Sequence, residues 1–210
     1  MSDFLSFDFK NTDEVTRFLA SDNKLITDIK SHYKVTRFEH AKSVATLCFE
    51  VAPLYKLDKN KMLFIGLLHD IYKMYDEELQ LSIAKKNKYF IPFLPSFSYH
   101  AFASAEFVKE RYTDDEEMYD AISFHATGRK EMTDSMKLLY IADKSEPTRE
   151  FATEKVRHAL FKDLHEAFIL QLKEQIDYFS SIKINYTSNL YSYQMFEYYK
   201  GEINNVKISH

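Results

Sequence analysis

The chain has 210 residues, with 28 Lys and Arg against 32 Asp and Glu. Its formal net charge is -4, so it offers no bulk attraction to nucleic acid or to an anionic membrane. Hydrophobic residues make up 45% and charged residues 29%, as in a globular protein with a real core. Only 3 Gly and 4 Pro are present, which speaks against sandwiches, barrels and doubly wound sheets with their many tight turns. An all-α helical bundle is expected.

The opening MSDFLSFDFK lacks the basic-then-apolar order of a signal peptide, and the single Cys48 excludes an internal disulfide framework. A cytoplasmic location is therefore expected. The first element is a helix around Thr12–Ala20. From Tyr33, helical spacing sets Val44, Leu47, Cys48 and Val51 on one stripe, which His40 shares four residues before Val44. That helix should stop near Pro53. A second, from about Lys59, carries Phe64, Leu67, Leu68 and Ile71 and delivers the adjacent pair His69–Asp70. Its apolar run MLFIGLL is too short to cross a bilayer.

Residues 76–99 read as a short helix and then a loop, because two prolines within IPFLPSFSYH forbid a continuous helix. His100 opens the next helix, through Phe102, Ala105, Phe107 and Val108. Glu116–Phe124 forms another, whose inward face points to His125, and Gly128 suits a helix C-cap. Thr133 is an N-cap for MKLLYIADKSE, which places Asp143 on a buried face. One amphipathic helix is expected over about Thr153–Tyr178. The chain thus divides into a lead-in (1–30), a helical core (31–180) and an aromatic-rich C-terminal helix and tail (181–210). In that tail, NYTSNLYSYQMFEYYKG reads as core packing, with a homodimer face or adenine stacking as alternatives.

Four apolar stripes each carry a His or Asp, and His100 begins a fifth helix. Singly, each has a bland explanation as a satisfied core residue or a cap. Together they do not, because burying several imidazoles and two carboxylates costs several kcal/mol per group unless a cation sits among them. Mixed N/O ligands without thiolate suit Fe, Mn, Zn or Ni rather than a structural zinc. Helical neighbours differ by roughly 100°, so His69 can bind one ion while Asp70 bridges to a second. Two ions about 3.5–4 Å apart can clamp a phosphoryl group and activate water.

The order His40, His69–Asp70, His100, His125, Asp143 resembles the HD superfamily of metal-dependent phosphohydrolases. More narrowly, RFEHAKSVA, GLLHDIYK, AISFHATGRKEM and LLYIADKSEPTRE resemble bacterial symmetrical diadenosine-tetraphosphate hydrolases, from about Tyr33 to Tyr178. The resemblance implies an HD-domain helical bundle holding two metal ions, iron foremost, with manganese or another divalent metal as the alternative. His40, His69, Asp70 and Asp143 would hold one ion, and Asp70, His100 and His125 the other. Arg37 and Lys73 would join Asp70 in catalysis and pair with phosphate oxygens, while Thr127, Gly128 and Arg149 would line the nucleotide side.

The implied reaction splits a dinucleoside tetraphosphate into two nucleoside diphosphates. The rivals are another HD-type hydrolase, acting on mononucleotides or guanosine tetraphosphate, and a non-catalytic nucleotide-binding adaptor. The family's usual Gly-Pro after the third His is replaced by Ala101-Phe102, so Phe102 is expected to reshape the pocket. Ala126 stands where a Thr is common. Finally, EVTRFLASDNKLI resembles the closing helix of nicotinate-nucleotide adenylyltransferases, which would imply association with such an enzyme. An amphipathic lead-in helix is the favoured reading.

Overall fold

A computed structural model describes residues 7–149, 154–183, 185 and 188–206. Among these the chain is helical and contains no strand. Two short helices, α1 (Thr12–Leu19) and α2 (Lys24–Ser31), precede α3 (Val35–Val51) and α4 (Lys59–Leu68). Then come α5 (Glu77–Ala84), α6 (Tyr99–Arg111), α7 (Glu116–Phe124), α8 (Asp134–Ser145), α9 (Glu154–Leu160), α10 (Leu164–Ser181) and α11 (Leu190–Asn205).

Most starts are fixed by short polar caps. Asn11, Asn23, Asp58, Asp76, Asp115, Thr133, Asp163 and Asn189 each accept a hydrogen bond from a backbone N–H of the first turn. α3 stops where Pro53 turns the chain into a 3-10 segment, Ala52–Tyr55, closed by Lys56 in the left-handed region.

α3 and α4 form the centre. Every residue of α4 from Met62 to Leu68 is buried, and α3 buries nine of its seventeen. A helix apolar nearly all round must be enclosed by others. α8 packs against both, α7 against α4 and α8, and α5, α6 and α7 follow in sequence. The two central helices approach so closely that a Cβ on Gly66 would lie 2.7 Å from the Ala45 Cα. One apolar cluster runs from Phe9 to Ile203, taking in the lead-in and the C-terminal helix.

The lead-in holds α2 as well as α1, with Ile26 and Ile29, three apart, buried on one face. Two expectations need correction. The long helix expected over 153–178 is two helices, because the chain turns at Phe161–Asp163 and Asp163 caps a fresh start at Glu166 N; Thr153 itself lies outside the described residues. Phe102 is fully buried and faces Phe90, Phe124 and Tyr191, so it belongs to the core and not to the pocket. The tail's aromatics divide: Phe196 and Tyr199 of α11 are buried, while Tyr193 and Tyr198 are exposed. No helix among the described residues is long and apolar enough to cross a membrane.

Candidate metal centre

Five segments deliver six side chains to one point. His40 comes from α3 and Asp143 from α8. α4 ends at Leu68, so the His69–Asp70 pair sits in the turn beyond it. His100 lies in the first turn of α6, and His125 is the C-cap of α7. All but Asp143 are buried.

Two groupings stand out. His40, His69 and Asp143 offer ligand atoms all within 4.8 Å of one another, and so do His69, Asp70 and His125. His100 adjoins the second, its Nε2 3.2 Å from both Asp70 Oδ1 and His125 Nε2. Asp70 faces both ways. Its Oδ1 lies 3.2–3.3 Å from His100 and His125, while its Oδ2 turns to His69 at 3.7 Å and to Arg37 Nη1 at 3.2 Å.

The imidazoles are set for a cation. His69 Nδ1 lies 2.7 Å from the Gly66 carbonyl and His125 Nδ1 2.8 Å from that of Ile122. A carbonyl only accepts, so each Nδ1 carries the proton and each Nε2 presents a lone pair inward. Buried His69 Nε2 has no hydrogen-bond partner and looks onto Asp143 Oδ1 at 3.5 Å. A lone pair aimed at carboxylate oxygens is repulsive unless a cation lies between them.

The protonation states agree. Burial would raise Asp70 and Asp143, but the hydrogen bond from His100 helps hold Asp70 well below the usual carboxylate range. The Lys144 ammonium and the hydrogen bond from His40 do the same for Asp143. Burial pushes His100 down and His125 down to about 4, against the pull of Asp70. Ionised carboxylates and neutral imidazoles are the forms that ligate a metal. The residues present therefore fit a metal site built from N and O ligands.

Sequence reasoning missed Glu146. It is fully buried, and its Oε1 sits 3.0 Å from His40 Nδ1 while accepting from the Thr148 hydroxyl at 2.5 Å. Burial raises Glu146, yet His40 and Thr148 outweigh it and bring it to about 2. A carboxylate behind a ligating imidazole fixes the ring's orientation. The signal lay in Glu146-Pro147, since a residue before proline turns out of the helix and ends α8 there.

In front of the ligands opens a cavity of about 230 Å³. Asp70, His100, His125 and Asp143 form its floor; the rest of its wall is Arg37, Lys73, Lys144, Arg149, Phe97 and Ala126. Arg149 Nη2 reaches Asp143 Oδ1 at 3.0 Å, and Lys73 Nζ lies 3.1 Å from His100 Nδ1. Lys144, also missed from sequence, donates to the His125 carbonyl at 2.9 Å and lies 3.4 Å from Asp143 Oδ2. Burial lowers both Lys73 and Lys144 by disfavouring their charged forms, a cost that an anion in the cavity would offset.

Thr127 and Gly128 are not brought to the cavity. Thr127 is fully buried, and its carbonyl accepts from Ser192 Oγ of α11 at 2.9 Å. Gly128 has φ +64°, and a Cβ there would collide with Met195 Sδ. Their role is to turn the chain after His125 and seat α11. Neighbouring Arg129 lies over the Phe124 and Tyr89 rings.

This chain belongs to the HD domain family, whose pattern matches residues 37–148. Within it, the chain is 33% identical over 159 residues to the symmetrical bis(5'-nucleosyl)-tetraphosphatase of Halalkalibacterium halodurans, covering 74% of this chain and 85% of that one. It is 30% identical over 150 residues to the protein of the same name from Bacillus subtilis, covering 69% and 80%. The fold is similar to the crystal structure of a predicted HD superfamily hydrolase involved in NAD metabolism from Clostridium acetobutylicum. The TM-score is 0.74 at 24% identity, over 93% of this chain and all of that one.

Proposed function

We propose that this chain hydrolyses dinucleoside tetraphosphates at the central anhydride, giving two nucleoside diphosphates. The observation that carries the reading is one buried point where four imidazoles and two ionised carboxylates meet under a cavity rimmed by Arg37, Lys73, Lys144 and Arg149. The names of the Halalkalibacterium and Bacillus relatives support the substrate class.

His40, His69, Asp70 and Asp143 would hold one ion and Asp70, His100 and His125 the other. Iron suits this thiolate-free donor set, with manganese the alternative; Cys48, buried in the core, is no ligand. Bound divalent cations supply Lewis-acid activation of water and neutralise phosphoryl charge. The chain's own residues bind and orient. The Arg37 and Arg149 guanidiniums fit phosphate oxygens pairwise. Lys73 and Lys144, partly desolvated, stabilise charge developing on the departing diphosphate.

Elemental analysis of freshly purified protein, paired with a substrate panel, tests this. Stoichiometric metal and two equal diphosphates from diadenosine tetraphosphate are expected. Free phosphate from mononucleotides or pyrophosphate from guanosine tetraphosphate as the only products would replace the substrate class. Full metal with no turnover would make the chain a binding module.

A further inference from the structure

One side chain of the cavity wall has a chemistry unlike the rest. Among the described residues Phe97 is the only apolar aromatic side chain lining it, and the rim beside it is cationic. The neighbouring rings Phe90, Phe102 and Phe124 pack against other aromatics, whereas Phe97 makes no ring contact among the described residues and is 53% exposed. Leaving an apolar ring half in water at a charged mouth does nothing for folding. It suits a flat, partly apolar ligand group.

The local backbone holds Phe97 in this position. Leu94 is buried and anchors the loop. Pro95 follows, and its carbonyl accepts from the Ser98 backbone N–H at 3.0 Å and from the Ser98 hydroxyl at 2.7 Å. This closes the 3-10 turn Ser96–Ser98 and runs it straight into α6. Phe97 therefore stands one turn ahead of His100, on the helical rise that brings His100 to the floor. A phosphate chain held by Lys73 and Arg37 over that floor would place an attached nucleoside within reach of the ring.

We propose that Phe97 is a stacking platform for one nucleobase of the substrate, and so of the nucleoside diphosphate product. The proposal rests on the reading above and deepens it by separating phosphate recognition, by the cations, from base recognition, by Phe97. A π-face takes any base, so the platform favours nucleotides over plain polyphosphates without choosing among bases.

The test is calorimetric binding of ADP and of inorganic pyrophosphate to the metal-loaded protein, with turnover of diadenosine tetraphosphate followed alongside. Phe97→Ala should weaken ADP binding about 5- to 150-fold and leave pyrophosphate binding unchanged. Phe97→Trp should restore ADP affinity, and Phe97→Leu, with bulk but no π-face, should not. Being half exposed, the position tolerates all three without loss of the fold, which circular dichroism checks. ADP affinity unchanged in Phe97→Ala, or equal losses for both ligands, would overturn the platform. Wild-type protein that cleaves no dinucleoside tetraphosphate would instead overturn the functional reading, while the ADP-to-pyrophosphate comparison still decides the role of Phe97.

Discussion

Gly66→Ala adds one methyl where the two central helices touch. An ideal Cβ there lies 2.7 Å from Ala45 Cα, 2.9 Å from Ala45 N and 3.1 Å from Val44 C. Carbon atoms rest at about 3.5–4.0 Å, so α3 and α4 must part by about 1 Å. No rotamer can relieve a clash with backbone, which puts the cost at the upper end of the roughly 1–3 kcal/mol typical of overpacking. Alanine's better helix propensity offsets roughly 1 kcal/mol. The net loss is about 2 kcal/mol, or a fall in Tm of about 4–8 °C for a chain of this size. Because α3 carries His40 and α4 leads into His69, whose rings are 5.4 Å apart, metal affinity should fall with stability. Thermal unfolding of metal-free protein, followed by metal titration, measures both. A midpoint equal to or above wild type, with unaltered affinity, would refute the reasoning.

Three further outcomes are expected. Asp70→Ala removes the carboxylate that faces both groupings and should abolish metal binding and hydrolysis while far-UV helicity stays near wild type; full activity would remove Asp70 from the centre. Glu146→Ala should weaken metal binding about 10- to 100-fold through the loss of His40 orientation, and Glu146→Gln, which keeps an acceptor for Nδ1–H, should lose less. Equal affinities across all three proteins in a chelator competition would make Glu146 mere packing. Finally, burial holds His125 at about 4 against an ordinary 6.5. The unfolded chain takes up a proton there below pH 6.5 and the folded chain does not, so metal-free stability is intact above 6.5 and declines as pH falls to 4. The loss is on the order of 3 kcal/mol. His40, lowered by burial but raised further by Asp143 and Glu146, offsets part of it. Urea midpoints that stay flat between pH 7 and 4.5 would contradict this assignment.

The helical class was readable because scarce Gly and Pro and strong 3.6-residue stripes are local properties. The six clustered side chains were readable for a related reason: a His or Asp within an apolar stripe is an anomaly visible before any fold is known. What escaped depends on neighbours distant in sequence. Thr127 and Gly128 look like a nucleotide loop until α11, some 65 residues on, is seen pressing Ser192 and Met195 against them. Phe102 follows His100 by two residues and so seemed to face the pocket, yet on a helix two residues is roughly 200°, and the ring turns into the core. The break at Phe161–Asp163 was hidden because an Asp within an amphipathic run reads equally as a surface charge or a cap.

His69 and His125 share one local device: each closes a helix, and each ring binds back to the carbonyl three residues earlier. The same side chain is thus both terminator and donor. Exchanging either for a carboxylate of similar reach could still meet an ion, but it would set a negative charge against a backbone oxygen and leave that oxygen without its proton. A redesign of the centre toward all-oxygen coordination would therefore fray two helices before it altered any selectivity.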